Sequence, residues 1–211
     1  LTTSNQLAVQ EGTYETFNGS PASEGILQFD MWNETPKSGR WDWLGLKKKI
    51  VETGLRNSLL LAQMPTASTA QILGNCESIE PYTYNVYVRR VLAGEFVLLN
   101  KYLHRDLWEL GLWTPEIRSQ IMADRGNIQN IAKIPQDIKD LYKTAFDLKQ
   151  RVLIDMSADR GKYICQSQSL NLFLAVPTVE KLTAMHLYSW ERGLKTGLYY
   201  LRREPKKHAQ Q

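Results

Sequence analysis

The chain has 211 residues, of which 43% are hydrophobic and 23% charged, an ordinary globular composition long enough to bury a core as one domain or as part of a larger one. The formal net charge is only +4, and the excess gathers in short runs such as Lys47-Lys48-Lys49 and Lys206-Lys207. That distribution argues against a nucleic-acid-binding stripe.

Residues 10–25 are rich in Gly, Ser, Thr and Glu and carry Asn18-Gly19-Ser20-Pro21 as turn chemistry, so a surface loop is expected there. Trp43, Leu44, Leu46, Ile50 and Val51 recur at helical spacing between Asp42 and Thr53, with Gly54 placed as a left-handed C-cap. Leu59-Leu60-Leu61-Ala62, in front of Pro65, suits a buried strand, and a short helix is expected to start near Thr69. Residues 84–91 are β-branched and aromatic and residues 95–99 apolar, which predicts extended segments separated by Gly94. A helix over residues 101–110 should end at Gly111. Thr114 and Pro115 form an N-cap and first-turn pair for a helix to Asp124, closed by Gly126. The longest helix is predicted from Pro135 to about Asp159, because Ile138, Leu141, Tyr142, Ala145, Leu148, Val152 and Met156 share one face. Residues 169–175 read as a buried strand, Pro177-Thr178 opens a helix to about Arg192, and residues 197–201 read as a strand. Strands separated by helices predict an α/β fold with a parallel sheet.

Several constellations could carry chemistry. Pro65-Thr66-Ala67-Ser68-Thr69 places three hydroxyls beside the amides of an expected helix N-terminus, a neutral cradle for a phosphate or diphosphate; the plainer alternative is that Ser68 or Thr69 only caps the helix. No Gly-Lys-Ser/Thr ending follows, which excludes a Walker-type loop. Tyr199 and Tyr200 are adjacent in an expected strand, where one ring would enter the core and the other would not. Only a locally irregular backbone would let the two rings stack and pass an electron while each phenol gives up or regains its proton. The small polar run Gln166-Ser167-Gln168-Ser169 before Leu170 and Asn171 suggests side-chain hydrogen bonds that fix the start of the strand. Glu77 and Glu80 have no third group to orient them, so a solvated or backbone-bonded pair is expected rather than an acid/base couple. Cys76 and Cys165 lie far apart without a Cys-X-X-Cys spacing, which argues against a disulfide framework and fits a reducing compartment, with Cys165 a quiet thiol. His104, His186 and His208 share no ligand spacing, and no apolar run approaches the ~20 residues needed to span a bilayer. The opening Leu1-Thr2-Thr3-Ser4-Asn5 has no initiator Met and no signal-peptide pattern, and reads as a cut inside a larger protein.

From about Glu11 to Pro205 the chain resembles the large subunit of class I ribonucleotide reductases of the eukaryotic and viral type. The resemblance is carried by Gly19-Ser20-Pro21, Gly25-Ile26-Leu27-Gln28-Phe29-Asp30-Met31-Trp32, Arg56-Asn57-Ser58-Leu59-Leu60 and residues 64–74 with their Pro-Thr-Ala-Ser-Thr core. It continues through Ser78-Ile79-Glu80-Pro81-Tyr82-Thr83, Arg89-Arg90-Val91, residues 166–171 and Gly193-Leu194-Lys195-Thr196-Gly197-Leu198-Tyr199-Tyr200-Leu201-Arg202. The order and close spacing of these segments make the match specific, and only the opening residues 1–8 fit poorly.

The resemblance implies the C-terminal part of a ten-stranded α/β barrel over residues 26–203, with a loop-rich opening segment at 1–25 and a polar tail at 204–211. It implies that Pro65, Thr66, Ala67, Ser68 and Thr69 hold the diphosphate of a ribonucleoside diphosphate whose 2'-hydroxyl is replaced by hydrogen in radical chemistry. Tyr199 and Tyr200 would relay the radical, Tyr199 being nearer the reactive cysteine, and the helix over residues 178–192 would help dock the small subunit's C-terminal tail. That cysteine, the redox pair and the effector sites would lie upstream, and neither Cys76 nor Cys165 matches them. The implied partners are the N-terminal part of the large subunit, a small radical-generating subunit that carries the metal/radical cofactor, and the diphosphate substrate. No cofactor in this chain, no nucleic acid and no membrane are expected, and the implied location is cytoplasmic. The alternative is a non-catalytic assembly module that docks the small subunit, although such a module needs neither tyrosine relay nor hydroxyl loop.

Overall fold

The computed structural model describes residues 1–204, so the polar tail expected at 204–211 lies, apart from Glu204, outside the described residues. In chain order the elements are α1 (Thr2–Glu11), a 3-10 turn (Pro21–Glu24), α2 (Gln28–Met31), α3 (Trp43–Thr53), α4 (Ala67–Leu73), β1 (Val86–Val91) and β2 (Gly94–Leu99). They continue with α5 (Lys101–Glu109), α6 (Pro115–Ala123), α7 (Gln136–Leu141), α8 (Gln150–Gly161), β3 (Asn171–Phe173), α9 (Val179–Glu191) and β4 (Tyr200–Arg202). Among the described residues the strands form an antiparallel hairpin, β1 with β2, and a parallel pair, β3 with β4. Among the described residues the expected parallel sheet is thus confined to β3 and β4, and no barrel closes.

The chain divides into two compact units. The first comprises Leu1–Pro65, Leu153–Leu170 and Thr178–Tyr199, and the second Thr66–Val152, Asn171–Pro177 and the stretch from Tyr200.

In the first unit Phe17, Leu27, Phe29, Ile50 and Leu55 form the core, with Trp43 and Leu46 packed against it. Asp42 caps α3 through Gly45 N–H at 2.8 Å, and Gly54 ends it at φ 82°. Its ψ of −168° is not the left-handed cap expected, and a Cβ there would lie 2.1 Å from Thr13 Cγ2, so only glycine fits. The opening segment expected to be loop-rich at 1–25 begins with α1, and irregular chain with the 3-10 turn follows from Gly12. Helix α1 has no apolar stripe; it is held by buried Asn5, which donates to Thr53 Oγ1 and Gly54 O at 2.8 Å each, and by Ser4, which donates to Asn57 Oδ1 at 3.0 Å. Polar anchoring of this kind leaves no hydrophobic period to detect. Residues 59–62 are exposed rather than a buried strand, and the nearest pairing is an isolated bridge between Gln63 and Gln168. Asp155 on α8 accepts from Tyr188 Oη at 2.6 Å and Arg192 Nε at 2.8 Å, which ties α9 to it.

The core of the second unit gathers Val86, Leu103, Leu107, Ile117, Ile121, Ile128, Ile131, Ile134 and Tyr142. Asn85, fully buried, organises the turns around this core. Its Nδ2 donates to Gly126 O and Tyr142 O at 3.0 Å each, and its Oδ1 accepts from Asn100 Nδ2 at 2.9 Å. Gly126, at φ 83°, approaches so closely that a Cβ would lie 2.2 Å from Val86 N. Helices α5 and α6 form where local chemistry places them, with Asn100 capping Tyr102 N–H and Thr114 capping Ile117 N–H. The single long helix expected from 135 to 159 is broken into α7 and α8. Thr144 N–H and Oγ1 both donate to Asp147 Oδ2, and Ala145 N–H donates to Tyr82 O, all at 2.8 Å. Amides committed elsewhere cannot continue the i to i−4 ladder, although the apolar period runs on through them.

Asn85→Ala removes three hydrogen bonds and leaves the buried Gly126 and Tyr142 carbonyls without that donor, so stability should fall by about 2–4 kcal/mol. Chemical denaturation measures it, and a loss below about 0.5 kcal/mol, the scale of a neutral surface change, would show that these bonds add nothing net.

Candidate functional site

Pro65 closes a segment of the first unit and Thr66 opens the second. Thr66 stands at φ 55° and ψ 28°, the left-handed region that a β-branched side chain avoids at a cost of about 1–3 kcal/mol. Its Oγ1 accepts from Ser78 N–H at 3.1 Å, and Ser78 is itself at φ 51°. Thr66 is the N-cap residue of α4, yet its side chain makes no cap bond, and neither Ser68 nor Thr69 occupies the cap position. Ala67, Ser68 and Thr69 are the first turn, all exposed, while Ala70 behind them is buried. The helix therefore starts two residues earlier than expected, and the Ser68 and Thr69 hydroxyls lie beside uncapped first-turn amides. Neutral donors at a helix start suit an anion.

The expected strand at 197–201 shrinks to β4, which leaves Tyr199 in a bend and makes Tyr200 the first strand residue. A regular strand would send adjacent rings to opposite faces, and the bend lifts that constraint. Tyr199 N–H donates to Leu170 O at 2.6 Å, and Tyr200 N–H donates to Asn171 Oδ1 at 3.2 Å. Both rings are about half exposed, at 54% and 50%. The Arg202 guanidinium lies 5.0 Å from the Tyr200 ring centroid.

Asn171, buried at the start of β3, is held by Glu80: Oε1 accepts the Asn171 N–H at 3.0 Å and Oε2 accepts its Nδ2 at 3.2 Å. Burial raises the Glu80 carboxyl above the ordinary glutamate range, against the lowering effect of these two bonds and of the Arg202 charge. Glu80 is thus a backbone-bonded carboxylate, as the sequence led us to expect of the Glu77 and Glu80 pair, but its reach to Asn171 was invisible there. Gln168, from the same polar run as Asn171, donates to Ser157 O at 2.7 Å and accepts from Arg160 Nε at 3.2 Å.

Burial pushes the Cys76 thiol up to about 11. The Cys165 Sγ accepts from Leu60 N–H at 3.2 Å. Among the described residues no group of three or more His, Cys, Asp and Glu is placed to hold a metal ion, and no helix is long and apolar enough to cross a membrane.

Comparison with known proteins shows the family of the chain. The family described as ribonucleotide reductase, barrel domain, matches residues 1–200, so the match includes the opening residues that had fitted poorly. The chain is 65% identical to the ribonucleoside-diphosphate reductase large subunit of Dictyostelium discoideum, over 97% of this chain and 24% of that protein. It is 58% identical to the large subunit of Danio rerio, over 97% of this chain and 26% of that one. Among solved structures it resembles the Actinobacillus ureae class Id ribonucleotide reductase alpha subunit with a TM-score of 0.68 and 28% identity, covering 97% of this chain and 31% of that one. The chain spans about a quarter of the length of the curated relatives it matches.

The raised Cys76 pKa carries a kinetic consequence. Moving from 9.0 to about 11 cuts the thiolate fraction near neutral pH about a hundredfold, and higher intrinsic nucleophilicity returns about tenfold of that. Cys76 should therefore react with iodoacetamide about ten times more slowly than a free cysteine peptide, and equal rates in peptide-mapped alkylation would show an open thiol.

Proposed function

This chain belongs to the ribonucleotide reductase barrel-domain family, and from that premise we propose that it is the part of a ribonucleoside-diphosphate reductase large subunit that supplies the substrate diphosphate loop and the tyrosine radical relay. The complete subunit would reduce ribonucleoside diphosphates to 2'-deoxyribonucleoside diphosphates in the cytoplasm, replacing the 2'-hydroxyl by hydrogen. The observation that carries this reading is the family match across residues 1–200 together with both tyrosines and the hydroxyl loop standing in the matched segments.

In this reading Ser68, Thr69 and the first-turn amides of α4 receive the substrate diphosphate, with Thr66 setting the approach of the chain and Pro65 and Ala67 completing the loop. Because residues 65–69 contain no Lys or Arg, binding rests on neutral donors and the helix end, and should depend on salt less steeply than a site built of cations. The small subunit would carry the metal/radical cofactor, and nucleotide effectors would bind outside this segment. Each step of the relay moves an electron from one phenol to its oxidised neighbour as the donor's proton leaves and the acceptor's returns. Tyr200 would take up the oxidising equivalent and Tyr199 would pass it toward a cysteine on the preceding part of the large subunit. Exposed Val179, Leu187 and Trp190 on α9 fit the docking of the small subunit's C-terminal tail.

Two outcomes test the reading in a complete large subunit carrying this sequence. Phe at Tyr199 or Tyr200 removes only a phenol oxygen, so nearly all turnover should be lost with diphosphate affinity retained; wild-type turnover in either variant would make that tyrosine a structural ring and favour a docking module. Ser68→Ala should weaken diphosphate binding about tenfold to a hundredfold. Unchanged affinity with a lowered melting temperature would leave the loop a purely structural turn.

A further inference from the structure

Three hydrogen bonds within the second unit link Glu80 and Asn171, neither of them part of the relay, to the Tyr200 backbone. Glu80 Oε1 takes the backbone N–H of Asn171, Glu80 Oε2 takes its side-chain Nδ2, and the Asn171 Oδ1 left over takes the backbone N–H of Tyr200. An unfixed asparagine amide can turn over, exchanging its oxygen for its NH2 group; here the carboxylate accepts only, so Nδ2 must face Glu80 and Oδ1 must face Tyr200. Asn171 and Tyr200 are also register partners in the parallel pair β3 and β4. The Asn171 amide thus bonds the backbone at the first residue of β4, and the Glu80 carboxylate fixes the face that this amide presents to it.

We propose that Glu80 is a positioning residue for the tyrosine pair: by fixing the Asn171 amide it pins the chain at Tyr200 and holds that ring in the geometry from which the radical passes. The proposal rests on the relay assignment of Tyr199 and Tyr200 made above. Its substrate is the chain itself, so nucleoside diphosphate affinity should be untouched.

The pattern of donors and acceptors gives a test that a general loss of stability cannot imitate. In Glu80→Gln the new amide can no longer accept both Asn171 donors, and in Asn171→Asp two carboxylates face each other. In the double variant Glu80→Gln with Asn171→Asp the Gln amide donates to the Asp, the Gln oxygen accepts the residue 171 N–H, and the second Asp oxygen still accepts from Tyr200. All three bonds return with one reversed. In a complete large subunit assembled with its small subunit, each single variant should lower kcat about tenfold or more with KM for the diphosphate within about twofold, and the double variant should recover to within about threefold of the parent. With 3-fluorotyrosine in place of Tyr200, the fluorine NMR signal should be one sharp line in the parent, broadened or split in the single variants, and one line again in the double variant. Parent-like kcat and an unchanged fluorine line in Glu80→Gln would overturn the proposal, as would a double variant no better than the singles. Tyr200→Phe, run alongside, separates the two failures. If it keeps full turnover, the relay assignment itself fails; if it is inactive while Glu80→Gln is parent-like, only the role of Glu80 fails.

Discussion

A buried strand of three residues must find partners for its amides on both edges, and β3 is such a strand, with Asn171, Leu172 and Phe173 all buried. On one edge β4 pairs with it in parallel register, and Leu174 N–H continues that edge by donating to Arg202 O. Alternation sends the amides of Asn171 and Phe173 to the other edge, where side chains meet them: Glu80 accepts from Asn171 and Gln150 Oε1 accepts from Phe173 at 2.7 Å. The same Gln150 donates through Nε2 to Ala145 O and Leu148 O at 3.0 Å each, so the side chain that closes the strand edge also caps the break between α7 and α8. Side chains that close the edge of β3 thus also bond to the start of β4, through Asn171, and to the break between α7 and α8, through Gln150.

Bonds of this kind act across long stretches of chain, which explains what could be foreseen from the sequence. The caps at Asp42, Thr114 and Thr178 work within three residues of themselves, and the helices they open were placed within a residue or two. The interruption at 142–149 depends on a bond from Ala145 to Tyr82, sixty-three positions away, while Leu148 and Val152 go on repeating the apolar period of a helix. Leu59, Leu60 and Leu61 have the composition of a buried strand, but they are exposed in this quarter-length chain. Helix α1 failed to announce itself because polar Ser4 and Asn5, rather than an apolar stripe, hold it.

The candidate site divides in the same way. Residues 65–69 and the adjacent tyrosines were visible as motifs, since each is a short run of unusual residue types. Their geometry was not. Nothing in Thr66 announces a left-handed backbone, which its β-branch opposes and which the bond from Ser78 helps to hold. Nor does anything announce that Glu80 meets Asn171, since the two are ninety-one positions apart. The left-handed backbone at Thr66 lies within the loop proposed to receive the diphosphate, and that at Ser78 is bonded to it.

In the proposed reading this chain would contribute loop and relay to a radical reduction whose reactive cysteine would stand elsewhere in the subunit. The most direct measurement mixes this chain with the preceding part of the Dictyostelium discoideum large subunit and with its small subunit, and follows reduction of a ribonucleoside diphosphate. Turnover is expected only when all three pieces are present, and its loss when Tyr199 or Tyr200 is changed to Phe. Turnover by this chain with the small subunit alone, or none at all in a mixture whose pieces form a stable complex, would contradict it.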